Sequence, residues 1–313
     1  MNHISVLDSR SKAWQDARKK WSHINSEAGR ENTLSNTGGW NTNEVSIFDP
    51  VLAELFYTWY TPGGGNILDP FAGGSVRGIV ATDLDYSYTG IDINSEQVTA
   101  NRLQSNKPTW LLGDSQQLLE GMNNFDFAFT CPPYHDLEIY TDDVNDLSNM
   151  GWDAFKVKYE EIINRTYTAL KPNRFMAIVV SEIRDRSTTR DYKIGKYKNL
   201  VGETIRAAES AGFHYYNEFI FIHHSERATK QINRYYNKNR KVPRVHQNVL
   251  VFIKGNPDIA TMDIDKVSGI QCEVDGIQYR TFREAAICID KSLVASDVKW
   301  RCSSKSYPQY KLF

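Results

Sequence analysis

Between about Phe48 and Gly255 short apolar runs alternate with stretches whose apolar positions recur at helical spacing. The runs at 66–68, 88–93, 110–112, 125–130, 175–180, 217–222 and 248–253 predict seven strands. The pattern between them predicts helices over 51–60, 96–103, 156–170 and 200–210, the last stopped by Gly212. Repeated strand–helix units imply an α/β domain with a largely parallel sheet. The last two strands have no helix between them, so they are expected to pair antiparallel. Their connection, 223–247, is far longer than a hairpin loop of about 2–5 residues, which points to a functional segment.

The flanks read differently. Residues 1–45 are polar and form an expected N-terminal arm: 11–25 suits a basic helix carrying Trp14 and Trp21, while Asn, Ser, Thr and Gly dominate 25–43, as in a loop. Residues 46–255 form the main domain, 256–265 a linker beginning near Pro257, and 266–313 a small separate unit.

Composition narrows the class. The 313 residues are 41% hydrophobic, 24% charged and 12% aromatic, as in a globular chain. No apolar run approaches the roughly 18 residues of a membrane span, so no membrane partner is expected. The N-terminus lacks a signal-peptide pattern. The four cysteines, Cys131, Cys272, Cys288 and Cys302, form no CxxC pair, which fits a reducing cytoplasm and no metal centre. A net charge of -1 excludes a uniformly basic nucleic-acid coat but not a local basic patch.

The candidate chemistry begins at Asp69-Pro70-Phe71-Ala72-Gly73-Gly74, an acid at a strand end followed by a glycine turn and a helix. The spacing is not GxGxxG and no Gly-Lys-Ser/Thr follows, which disfavours a phosphate cradle. Asp92, with Ile93, ends the next strand 23 residues after Asp69, and its two acceptor oxygens match a vicinal diol. Asp114, with Ser115, ends the third and suits an adenine amine. Three acids at consecutive strand ends point to the carboxyl edge of one sheet, where open α/β folds bind ligands, and together they suggest S-adenosyl-L-methionine. The fourth expected strand then runs into Thr130-Cys131-Pro132-Pro133-Tyr134, a rigid corner with an exposed carbonyl and an aromatic suited to stacking on a base.

Asp69-Pro-Phe-Ala-Gly-Gly, Gly90-Ile-Asp92 and Thr130-Cys-Pro-Pro-Tyr134 resemble the motifs of amino-methylating DNA methyltransferases, phage-type enzymes above all, which act on adenine N6 or cytosine N4. The resemblance implies a Rossmann-like S-adenosylmethionine-dependent methyltransferase fold, a seven-stranded, mostly parallel sheet with a reversed last strand. It also implies that Asp69 and Gly73 line the methionine part of the cofactor, Asp92 holds its ribose, Asp114 holds its adenine, Cys131 and Pro132 face the target amine, and Tyr134 stacks on the base. The family usually carries Asp, Asn or Ser where this chain has Cys131, and a thiol is a weaker acceptor. The order Cys-Pro-Pro, rather than Pro-Cys, sets aside a cysteine-nucleophile mechanism.

A recognition element does not fit in the roughly 60 residues between Asp69 and Cys131, so it is expected in the long connection. Arg227, Lys230, Arg234, Lys238, Arg240, Lys241, Arg244 and Lys254 follow one another there without an acid, interleaved with Tyr235 and Tyr236. Arg184, Arg186 and Arg190 form a weaker cluster. The acidic run after Tyr134 reads as a solvated flap, and His135 as a substrate contact or a structural histidine. Residues 266–313 resemble the small helix-turn-helix repeat of homing endonucleases, which implies a helical DNA-binding module with Arg283, Lys299 and Arg301 as contacts. The expected protein is thus a bacterial or phage-borne cytoplasmic DNA methyltransferase, monomeric or homodimeric, acting on double-stranded DNA. An RNA base methyltransferase and a DNA-binding protein with an inactive core are the alternatives.

Overall fold

The computed structural model describes residues 4–24, 34–35, 48–61, 64–135, 138–185, 196–222, 236–237, 240–261, 272–279, 301–302 and 307–312. All seven expected strands are present: β3 (Asn66–Asp69), β4 (Ser87–Asp92), β5 (Thr109–Leu112), β6 (Phe125–Thr130), β8 (Leu170–Val180), β9 (His214–Ile222) and β10 (His246–Lys254). An eighth joins them, β1 (Val6–Asp8), giving the order β1-β9-β10-β8-β6-β3-β4-β5. Strands β3, β4, β5, β6 and β8 run parallel, while β10 is antiparallel to both β8 and β9. This is the mostly parallel α/β sheet with a reversed last strand that the sequence pattern called for. β1 is the correction to a seven-stranded count: three residues are too few to show a period, yet they pair Val6–Asp8 in parallel with Ile220–Ile222.

Residues 4–24 are therefore part of the main body, not of a polar arm. Helix α1 (Lys12–Lys19) follows β1, capped by Ser11, and buries Trp14 against Phe221 at a ring separation of 5.3 Å. Helices α2 (Pro50–Tyr60), α3 (Val76–Asp83) and α4 (Ser95–Gln104) cover the same face. Asp49 caps α2 by accepting from Val51 N, and Pro50 takes the first turn, where its missing N–H costs nothing. Gly78 lets α3 lie close: a Cβ there would sit 2.4 Å from the Trp110 ring. Helices α5 (Ser115–Leu118), α6 (Trp152–Ala169) and α7 (Leu200–Ser210) cover the other face. The central strands read as continuous apolar runs because both faces are buried; Phe127, Ala128 and Phe129 of β6 have no exposure.

Two further sheets are small. β2 (Leu34–Ser35) pairs with β7 (Glu138–Ile139), just beyond the Pro132-Pro133 corner. In the tail, β11 (Cys272–Val274), β12 (Ile277–Tyr279) and β13 (Tyr310–Leu312) form an antiparallel sheet turned by Asp275 and Gly276, with positive φ angles of 52° and 80°. The sequence pattern anticipated that turn but not its flanking strands. The expected helices and contacts Arg283 and Lys299 lie outside the described residues. Residues 257–261 are helical and bury Ala260, so the expected linker begins with a docked turn. Among the described residues no helix is long and apolar enough to cross a membrane.

Candidate active site

The carboxyl ends of β3, β4, β5 and β6 bring their loops to one edge, where a cavity of about 450 Å³ opens. That size suits a small-molecule ligand. Pro70, Phe71, Gly73, Asp92, Ile93, Asp114, Ser115, Cys131, Pro132, Pro133 and Tyr134, all expected from the sequence, line it together. Asp69, Ala72 and Gly74 do not.

Asp69 is the first correction. Its carboxylate is fully buried and committed inside the protein: Oδ2 accepts from Arg77 Nε and from the Tyr88 hydroxyl at 2.7 Å, and Oδ1 accepts from Thr130 Oγ1 at 2.6 Å. A buried carboxylate must be paired, and Arg77 supplies the charge. The same guanidinium donates to the carbonyls of Phe71 and Ala72 at 2.7 and 2.9 Å. Asp69 and Arg77 thus fix the glycine turn from behind. Gly73, at φ 53°, turns its N–H onto Asp92 Oδ2 at 2.7 Å.

Asp92 faces the cavity. Burial pushes its carboxyl up to about 6, against the N–H groups of Asn94 and Gly73, which favour the charged form; nearby Asp146 adds to the rise. Asp114 caps α5 through Oδ1, which accepts from Gln116 N at 2.9 Å. Its Oδ2 pairs with Lys158 Nζ at 2.7 Å, with both side chains about nine-tenths buried.

At the Pro132-Pro133 corner, Cys131 Sγ lies 3.7 Å from the Tyr134 hydroxyl. That hydroxyl accepts a 2.6 Å hydrogen bond from Gln247 Nε2 on β10, and burial holds it protonated well above the ordinary tyrosine range. His135 is buried edge-on against Trp152 and Phe155 with Nδ1 3.0 Å from Lys198 Nζ, the structural alternative of its two expected roles.

The acidic segment after the corner is not a solvated flap throughout. Asp146 is buried and accepts from Thr141 N and Oγ1 and from Ser148 N and Oγ, at 2.8–3.0 Å. Asn94 Nδ2 holds the Tyr140 carbonyl at 3.0 Å and Lys158 holds that of Asn145 at 2.8 Å, so Tyr140, Asn145 and Asp146 form a strap along the cavity. Asp142 and Asp143 remain exposed. Ser9, Gln15, Arg18, Phe48 and Asp49, from the N-terminal part of the chain, also line the cavity.

Among the expected DNA contacts, Arg227, Lys230, Arg234, Tyr235 and Lys238 lie outside the described residues, as do Arg186 and Arg190. The connection springs from the cavity's edge, since Phe221 and Gln247 line it. Arg240 stacks over Tyr236 at 5.0 Å, and Arg244 Nε donates to the His246 carbonyl at 3.2 Å. Lys241 is half-buried beside them. Arg184 stacks over Tyr197 at 4.4 Å. Lys254 is a correction: it lies at the other end of β10 and donates to the Tyr167 and Leu170 carbonyls at 2.6 Å, capping α6. Arg301 lies against Tyr307 and Tyr310 and donates to the Tyr310 hydroxyl at 2.9 Å, a packing role in the tail.

Lys158, Gln247, Asp146, Arg77 and Asn94 were not anticipated. Lys158 had a legible signal, a lysine on the apolar stripe of Phe155, Tyr159, Ile162 and Thr166. The others had none.

No family model matches the chain, and no curated protein matches it. Solved structures similar to it include TrmN from Thermus thermophilus, at 14% identity and a TM-score of 0.42, covering 66% of this chain and 49% of that one. The chain thus spans about half the length of that protein. A methyltransferase described as S-adenosylmethionine-dependent, from Methanosarcina mazei, is 15% identical with a TM-score of 0.42, covering 63% and 95%. The [4+2]-cyclase SpnF is 16% identical with a TM-score of 0.45, covering 69% and 86%. These likenesses concern the fold, and a fold hosts many reactions.

Proposed function

We propose that the protein is an S-adenosylmethionine-dependent methyltransferase that methylates an exocyclic amine, adenine N6 or cytosine N4, of a base in double-stranded DNA. One observation carries the reading: Asp92, Asp114 and the Cys131–Tyr134 corner line a single cavity at the carboxyl edge of a mostly parallel sheet.

The residues present fit the cofactor. Asp92 offers acceptors for a ribose diol, Asp114 an acceptor for an adenine amine, and Gly73 a close backbone approach. Phe71, Phe48 and the Pro70 ring supply apolar wall. Asp69 enters as the group that, with Arg77, sets the glycine turn. When bound, S-adenosylmethionine supplies an electrophilic methyl whose carbon–sulfur bond breaks as the amine lone pair forms the carbon–nitrogen bond, a proton leaving to solvent.

On the acceptor side, Tyr134 provides a face for a base turned out of the duplex, at an unstacking cost of a few kcal/mol offset by stacking worth roughly 1–3 kcal/mol. Gln247 holds the Tyr134 hydroxyl. The Pro132 carbonyl and Cys131 Sγ accept from the amine and aim its lone pair; the carbonyl is the stronger acceptor. Orientation and proximity then supply most of the rate. The basic connection, leaving the sheet beside Gln247, is assigned to phosphate and groove contact, and residues 266–313 to a second duplex contact.

Incubation with methyl-labelled cofactor and mixed-sequence duplex DNA tests the reading. Label on DNA amines is the expected result. Label on RNA alone replaces DNA by RNA, and tight DNA binding without label assigns an inactive core.

A further inference from the structure

We propose that Lys158 is a cofactor-positioning residue, and that with Asp114 it forms a two-point reader of an adenine edge at the cavity. The inference rests on the cofactor reading above and extends it to a residue on α6, 44 positions away in the chain.

Lys158 is buried yet lies on the cavity lining. Its ammonium has three N–H groups. One reaches Asp114 Oδ2 at 2.7 Å and a second the Asn145 carbonyl at 2.8 Å. Among the described residues no third protein acceptor is present, and a buried donor requires one. Asp114 Oδ1 accepts from Gln116 N, while Oδ2 keeps a second lone pair beside the Lys158 bond. A donor and an acceptor therefore sit side by side, 2.7 Å apart, against the ligand space.

An adenine ring presents the complementary pair. Its exocyclic amine donates and the adjacent ring nitrogen accepts. Across the shared carbon they are about 2.3 Å apart, as two amidine C–N bonds of about 1.33 Å dictate. Lys158 donates to the ring nitrogen and Asp114 accepts from the amine. Hypoxanthine reverses both polarities: its carbonyl oxygen faces the carboxylate and its ring N–H faces the ammonium. Such a reversal leaves buried groups unpaired and is rejected far more strongly than a missing methylene. Lys158 thus selects an adenine nucleoside, and through Asn145 it ties that choice to the strap.

The test is titration calorimetry on the full chain with S-adenosylhomocysteine and its hypoxanthine counterpart, S-inosylhomocysteine. The wild-type protein is expected to prefer the adenine form by more than tenfold. Lys158→Met is expected to lose more than tenfold in affinity for that form and most of the discrimination, and Lys158→Arg to recover part of both. Wild-type protein that binds neither molecule removes the cofactor reading itself. Adenine-form binding with no discrimination, or a folded Lys158→Met with unchanged affinity and discrimination, overturns this inference alone. If Lys158→Met does not fold, the two molecules compared on wild-type protein decide.

Discussion

The Gln247 side chain donates to the Tyr134 hydroxyl at 2.6 Å, across 113 positions of the chain. One partner stands at the root of the basic connection and the other on the Pro132-Pro133 corner, so the element assigned to DNA is tied to the ring assigned to the base. Gln247→Leu removes the only N–H donor to that hydroxyl among the described contacts. A hydrogen bond of this kind contributes about 0.5–1.5 kcal/mol. The expected outcome is a roughly threefold to tenfold fall in kcat for methyl transfer, with the cofactor dissociation constant unchanged by calorimetry. A matching fall in cofactor affinity would place Gln247 in a different role.

Tyr134→Ala removes the ring itself and is expected to lower transfer by roughly 5- to 150-fold while leaving cofactor affinity within about twofold. Loss of stacking worth roughly 1–3 kcal/mol leaves the flipped base unsupported. Calorimetry beside a transfer assay separates the two effects, and a collapse of cofactor binding would misassign the residue.

The pH dependence follows from Asp92, whose carboxyl is pushed up to about 6 by burial. Only the carboxylate accepts from both hydroxyls of a diol. Cofactor affinity is therefore expected to fall as pH drops from 7.5 to 5, with a midpoint near the Asp92 value. Stability moves the other way. A carboxyl raised above its ordinary 3.8 binds protons more readily in the folded than in the unfolded state, so this group stabilises the fold as pH falls from about 6 towards 3.8. Affinity lost while the melting temperature holds identifies local titration. Asp92→Asn should weaken binding and flatten the profile; an unchanged profile rules Asp92 out as its source.

The sheet was legible because its central strands, β6 above all, are buried on both faces and read as unbroken apolar runs. β1 was not: Val6-Leu7-Asp8 carries one buried residue and takes its meaning only from β9. The strand-end acids were legible as positions but not as roles. Asp69 looked like Asp92 until Arg77, from the following helix, claimed its charge. Whether a carboxylate faces ligand or protein depends on partners brought in by tertiary packing, and spacing along the chain does not record them.

Trp14 tests whether the N-terminal segment belongs to the body. Its ring is buried, packs on Phe221, and donates through Nε1 to both Asp49 carboxylate oxygens at 3.2 Å. Trp14→Ala leaves a large void and a cap short of a partner. A destabilisation of about 3–5 kcal/mol is expected by chemical denaturation. A change below about 1 kcal/mol would mean that residues 4–24 contribute little to the fold.

The salt dependence of DNA binding tests the basic connection. Each phosphate neutralised on duplex DNA contributes about −0.9 to the slope of log affinity against log salt. Arg234, Arg240 and Lys241 belong to a stretch without an acid from Arg227 to Lys254, and the described part of it leaves the sheet beside the cavity. Lys254 is omitted because it caps α6 at the far end of β10. Replacing Arg234, Arg240 and Lys241 by Gln should weaken binding uniformly across sequences and make the slope shallower by about 2–3. An unchanged melting temperature checks that the variant is folded. Cofactor affinity should hold as well, because Arg240 and Lys241 do not line the cavity. An unchanged slope with intact folding would move the phosphate contacts to another part of the chain, and residues 266–313 would be the next segment to neutralise.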